Sequence, residues 1–186
     1  MTTTRRHLHL LVGICVASAA CQGRTASPDA RDNPHVAAIL EEAAPTMQDA
    51  ATATYWGGLG RRITLTDGEW SNGEGPRVHL LRDFYVTADL SGNGATNAVV
   101  ILEAINAGPE SGHYLAVLRH DGMDTISLGT VLLGQAVEIR GLRVDAGRII
   151  VDLTKTGTTP PEPVTLTYLF DRGGLVDVSN QTAPTS

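Results

Sequence analysis

The chain has 186 residues, 42% of them apolar, 18% charged and 4% aromatic, with 20 Gly, 9 Pro and a formal charge of −6. This fits one folded domain with tails. It is too apolar for wholesale disorder, and past the N-terminus it has no apolar run long enough for a multi-pass helical membrane protein. Thirteen of its 14 cations are Arg, but they are scattered and outnumbered by 20 carboxylates, which argues against a nucleic-acid partner.

Residues 1–20 have the layout of an export signal. Arg5 and Arg6 form a short basic region, Leu8 to Ala17 an apolar one, and Ser18, Ala19 and Ala20 are small residues before Cys21. The apolar stretch is shorter than the roughly 20 residues a membrane-crossing helix needs, so cleavage is expected rather than anchoring by helix. Ser18-Ala19-Ala20-Cys21 resembles a bacterial lipobox, in which the thiol is acylated with diacylglycerol and becomes the mature N-terminus. Ser18 stands where lipoboxes usually have Leu. Thr4-Arg5-Arg6-His7-Leu8 resembles a twin-arginine signal, so either the general secretory route or the twin-arginine route would serve.

Cysteine usage agrees with lipidation. Cys15 lies within the segment to be removed, which leaves Cys21 as the single thiol of an exported chain and rules out a disulfide within the mature protein. Acylation would consume a thiol that is a liability in an oxidising compartment. Taking Arg5 and Arg6 from the 14 cations leaves 12 against 20 carboxylates, a formal charge of −8. Anionic headgroups should repel such a domain, so attachment would depend on the acyl chains. One chain gives only K of about 10⁴ M⁻¹, whereas lipoproteins of this kind carry several, palmitate among them. Gln22 is not the Asp that resembles an inner-membrane retention signal, so the resemblance implies the outer membrane or cell surface.

Residues 21–34 read as a flexible tether, because from Gln22 to Pro34 no aliphatic side chain exceeds Ala. A helical segment is expected over 35–54: Asn33 can cap, Pro34 suits a first turn, and Val36, Ile39, Leu40 and Ala43 share one face. Pro45 ends or kinks this helix, and Thr46 with Asp49 forms a capping pair that restarts a turn through Ala53.

From 55 to 179 the period is two. Val137 and Ile139, Leu142 and Val144, then Ile149, Val151 and Leu153, and finally Val164, Leu166, Tyr168 and Phe170 alternate with neighbours that are polar apart from Ile150 and Leu169. Asp67-Gly68, Asp121-Gly122, Ala146-Gly147 and Gly173-Gly174 supply hairpin turns. Ala98 to Ile105 is apolar on both faces apart from Glu103, as in a central strand. Thr156 to Pro163 reads as a loop and 180–186 as a disordered tail. About nine strands joined by short turns predict a mainly β (β-rich α+β) fold: a curled antiparallel sheet, sandwich or partial barrel, with a short N-terminal helix.

The segments TYWGGLGRRITLTDGEW, LRDFYVTADLSGNGATNAVVIL, GHYLAVLRHDG and TVLLGQAVEIRGLRVDAGRIIVDL, with a final TYLF, resemble a group of uncharacterised bacterial exported proteins over Tyr55 to Val178. That group has a D-x-N-x-D-G-x-x-D-like loop before an apolar strand. The resemblance implies an extracytoplasmic β-rich domain and no particular activity. Two features depart from the group: Thr158 to Pro163 contains no Cys pair, and the acidic loop has lost carboxylates.

In that loop Asp89, Ser91, Asn93 and Asn97 occupy positions 1, 3, 5 and 9, with Gly94 at position 6, the layout of a Ca²⁺ loop that turns alternate oxygens inward. Only Asp89 is anionic, and Val100 stands where a closing bidentate Glu belongs, so calcium affinity should be low. The competing expectation is that Asp89, Ser91 and Asn93 bond the loop's own backbone in Asx-type turns, and this reading is preferred.

No catalytic residues are assigned. His35, His79, His113 and His120 have no metal-pair spacing, there is no G-x-S-x-G elbow, and Cys21 sits in a tail. His120, beside a turn, is expected to be solvated, and Asp83 and Asp89 are candidates to lie near His79 or His113 in space. Tyr55, Trp56 and Trp70 fit core packing better than a ligand surface. Three functions remain. The preferred one is a non-catalytic, lipid-anchored envelope protein whose binding domain meets an envelope protein or polymer. The others are a calcium-stabilised binding domain and an envelope-polymer hydrolase.

Overall fold

The computed structural model describes residues 43–180; the signal, tether, lipidation and first-helix expectations, and the end of the tail, lie outside them. The described chain begins with α1 (Met47–Ala50), a single helical turn closed by the expected capping pair. Thr46 Oγ1 accepts from the Asp49 N–H at 3.2 Å, and Asp49 accepts from the Thr46 N–H at 2.7 Å. The Thr46 hydroxyl also donates to the Asp49 carboxylate at 2.6 Å, and this bond first, then the one from the Thr46 N–H, holds the Asp49 carboxyl below its usual range.

Eleven strands follow: β1 (Thr54–Tyr55), β2 (Ile63–Thr64), β3 (Glu69–Ser71), β4 (Arg77–Ala88), β5 (Asn97–Ile105), β6 (Gly112–Asp121), β7 (Asp124–Gly134), β8 (Val137–Asp145), β9 (Arg148–Lys155), β10 (Glu162–Asp171) and β11 (Gly174–Asp177). The expectation of about nine fell short because β1 to β3 have only two or three residues each, too few to leave a period of two. Thr54, assigned to the helical segment, already pairs in β1. Glu162 and Pro163, assigned to a loop, pair with Lys155 and Thr154. Pro163 is tolerated because β11 flanks only residues 168–171 of β10, so no neighbour on that side asks for its missing N–H.

The strands form two sheets, ordered β2-β1-β7-β6-β5-β4-β3 and β11-β10-β9-β8. Pairing is antiparallel throughout except where β1 lies parallel to β7 at Thr54 and Ile126. The small sheet covers one face of the large one, and β4 meets β8 while β7 meets β11, so the pair is a nearly closed sandwich. The core between the sheets contains Val99, Ile101, Leu115 and Val117 from the large sheet and Ile149, Val151, Leu153 and Tyr168 from the small one. The outer face of the large sheet is buried as well. Ala98, Val100, Leu102, Ala116 and Leu118 pack under a covering layer made of α1, Tyr55, Leu59, Ile63 and Leu65. This double burial is why residues 98–102 read as apolar on both faces; each Val, Leu or Ile so buried contributes about 1.5–3 kcal/mol.

Local rules explain the details. The switch from Val137 and Ile139 to Leu142 and Val144 is a bulge between Ile139 and Gly141, which restores the apolar side chains to the core after one extra residue. Ala146 and Gly147 both have positive φ, as a two-residue hairpin turn demands. Two expected turns lie one residue away from their predicted places. Asp121 pairs with Asp124 around Gly122-Met123, and Asp171 pairs with Gly174 around Arg172-Gly173.

Candidate functional site

The sandwich has two open ends, fixed by the inner-face alternation of its central strands. Along β5 this runs Asn97, Val99, Ile101, Glu103, and along antiparallel β6 it runs His113, Leu115, Val117, Arg119. The core residues occupy the middle, leaving Asn97 with Arg119 at one end and Glu103 with His113 at the other.

At the Arg119 end lies a cleft of about 380 Å³ between the 89–97 loop and the β10–β11 turn. Its apolar lining is Leu128 and Phe170, both partly buried against the inter-sheet core. Arg119, His120 and Arg172 supply basic groups, Ser91, Asn93, Thr96 and Asn97 supply hydroxyls and amides, and no carboxylate lines it. Arg172 is largely exposed and lies 3.9 Å from Asp171. Arg119 makes no ion pair among the described residues.

The 89–97 loop forms one rim. Asp89 accepts from the backbone N–H groups of Ser91 at 3.2 Å, Asn93 at 3.2 Å and Gly94 at 2.8 Å, and Asn93 Oδ1 accepts from the Ala95 N–H at 2.9 Å. The Gly94 bond leads the effects that hold the Asp89 carboxyl below its usual range. Gly92 and Gly94 have φ of 67° and 85°, the left-handed conformation this winding requires. Leu90 is buried and pins the loop to the core, while buried Asn97 donates from Nδ2 to the Leu118 carbonyl at 3.4 Å. The four calcium candidates are therefore divided. Asp89 serves the loop's own backbone, Asn97 is also tied to β6, and Ser91, Asn93 and Asn97 line the cleft. The expected Asx-type bonds are present for Asp89 and Asn93, whereas Ser91 takes part through its N–H.

The histidines have carboxylate neighbours that sequence spacing could not reveal. His79 Nδ1 is 3.5 Å from Glu69, and His113 Nε2 is 4.0 Å from Glu103. Asp83 and Asp89 pair with neither histidine; Asp83 lies in a three-residue irregularity of β4 between Leu81 and Tyr85. His120 is not simply solvated, since its Nδ1 is 3.0 Å from Thr125 Oγ1 and its Nε2 is 3.8 Å from Asp49. The order Thr125, His120, Asp49 superficially suits a nucleophile and base, but the Asp49 carboxylate is engaged at the α1 cap and 3.8 Å is too long for a hydrogen bond. Among the described residues no three His, Cys, Asp or Glu side chains are placed to hold one metal ion, and no helix is long and apolar enough to cross a membrane.

The aromatics behave unequally. Tyr55 is fully buried and donates its hydroxyl to the Ala50 carbonyl at 2.8 Å, and Trp70 packs against the outer core with Arg61 over its ring. Trp56, expected to pack, is 49% exposed while its Nε1 donates to the Ser127 carbonyl. Sequence reading missed the basic character of the cleft because Arg119 and Arg172 are distant in the chain and only the sandwich brings them to one end. Comparison with protein-family models, curated proteins and solved structures gave no match to this chain.

Proposed function

We propose that the chain is an exported, lipid-anchored envelope lipoprotein whose β-rich domain is a non-catalytic binding module, with the cleft at the Arg119 end as its binding surface. The observation that carries the reading is Ser18-Ala19-Ala20-Cys21, placed directly after a basic and then an apolar stretch in a chain whose other cysteine, Cys15, lies within that stretch. The cleft supports the binding part of the reading: it has an apolar lining, convergent polar groups and a volume within the range of small-molecule sites.

Intact mass and membrane partition of the protein made in a bacterial host, beside Cys21→Ala, test it. A mature species beginning at Cys21, heavier by acyl chains and lost from the membrane in the variant, is the expected result. An unmodified, soluble species overturns the anchor. A calcium-stabilised form of the same binding domain is the second reading, favoured by Ser91, Asn93 and Asn97 facing the cleft in calcium-loop spacing.

A further inference from the structure

We propose that the cleft takes a small organic anion, a ring bearing a carboxylate or phosphate, with the charged group held by Arg119 and Arg172 and the ring body over Phe170 and Leu128. This deepens the binding-module reading and rests on it.

Charge is the first argument. In a chain with 20 carboxylates and 14 cations, a concave site lined by two Arg and no Asp or Glu runs against the overall balance. Both Arg side chains line the cleft and are exposed, so an anion entering it meets planar, forked donors that are free to turn towards its oxygens. Among the described residues the one carboxylate in ion-pair range of either Arg is Asp171, 3.9 Å from Arg172 and itself well exposed.

Position is the second argument. Arg119 stands on the inner face of β6, one alternation beyond Val117, where the same face is fully buried. Arg119 itself is exposed, so its charge stands at the solvent-facing mouth of the cleft, where it can draw an anion in from solution.

The lining gives the third argument. Phe170 and Leu128 offer apolar surface for a ring, while Asn93 and Thr96 on the facing rim offer an amide and a hydroxyl to ring substituents. A bare inorganic ion would leave most of a space of about 380 Å³ unused.

The test is an NMR titration of the whole protein, as produced by the host, with D-glucuronate, glucose 1-phosphate and D-glucose at matched ionic strength. Expected are saturable shifts of the Ala95, Thr96 and Gly173 amides with either anion, at a Kd of about 1 mM, and affinity for D-glucose about tenfold weaker or worse. Combined Arg119→Gln and Arg172→Gln should weaken anion binding about tenfold or more, with the remaining spectrum and the melting temperature unchanged. Equal affinity for D-glucose overturns the anion while leaving a binding module standing. No shift from either anion up to about 50 mM, or a double variant that binds like the parent, overturns the proposal outright. Lipidation is read separately by mass, so failure of the anchor and failure of the anion site are distinguishable.

Discussion

Glu103 on β5 stands directly opposite His113 on β6, with its Oε1 4.0 Å from the imidazole Nε2. The pairing belongs to a transverse row, because His79 lies opposite Glu103 on the other side and Glu69 lies opposite His79. Four alternating acidic and imidazole side chains therefore cross the large sheet at the end remote from the cleft. His113 is the most enclosed of the four, and its Nδ1 has no hydrogen-bond partner among the described residues.

Burial pushes the His113 pKa down from 6.5, and the Glu103 charge only partly opposes it. The folded protein thus holds this proton less tightly than the unfolded chain does. The benefit of a neutral His113 is complete above about 6.5 and is lost as pH falls below it. Urea midpoints should be lower at about pH 5.5 than at about pH 8, and His113→Gln should flatten the difference. Identical pH slopes for parent and variant would refute this.

Tyr55 fills the covering layer and satisfies the Ala50 carbonyl. Tyr55→Phe should cost about 1 kcal/mol, the net worth of one buried hydrogen bond, and Tyr55→Ala about 3–5 kcal/mol through the cavity it leaves. Chemical denaturation measures both; a Phe variant as unstable as the Ala variant would contradict the division.

Gly112 opens β6 at φ 145°, where an added Cβ would lie 2.5 Å from the Gly134 carbonyl oxygen. Gly122 has φ 67° and open space around the same position. Gly122→Ala should cost about 1 kcal/mol from backbone strain alone, and Gly112→Ala about 3 kcal/mol or more because the carbonyl must also move. The ranking is checked by paired melting curves, and a reversed order would be inconsistent with this packing.

Asp89 holds its loop through three backbone N–H groups, which keep its carboxyl below the usual range. Its depressed pKa adds stability above the ordinary carboxylate range, and this is lost on acidification through the lowered value. Asp89→Ala should lower the melting temperature. Millimolar Ca²⁺ and chelator should leave the parent's melting temperature alike. A calcium-dependent rise of several degrees, absent in Asp89→Ala, would instead establish the calcium-stabilised reading.

What the sequence disclosed depended on how locally each feature was encoded. The strands around Val99, Val151 and Leu166 were legible because alternation or unbroken apolarity records burial residue by residue. Ala146-Gly147 and the Thr46–Asp49 cap were legible because turns and caps need particular side chains at particular offsets. Strands β1 to β3 were not, since pairing with β7 and β4 creates them and two or three residues cannot display a period. The Asx-type bonds of the 89–97 loop could be anticipated, but the placing of Arg119 and Arg172 at one cleft could not. Nor could the Glu69–His79–Glu103–His113 row, because register across strands is a property of the assembled sheet.

The covering layer also decides how the molecule would respond to being pulled. Tension arriving from the chain before residue 43 enters at Pro45, whose carbonyl accepts from the Tyr85 hydroxyl at 2.6 Å, and then passes to a helix of one turn and a strand of two residues. Those attachments are few beside the long ladders between β4, β5, β6 and β7. The layer would peel away first, like a label from a bottle, baring Val100, Leu102 and Leu118 while the two-sheet body stayed shut.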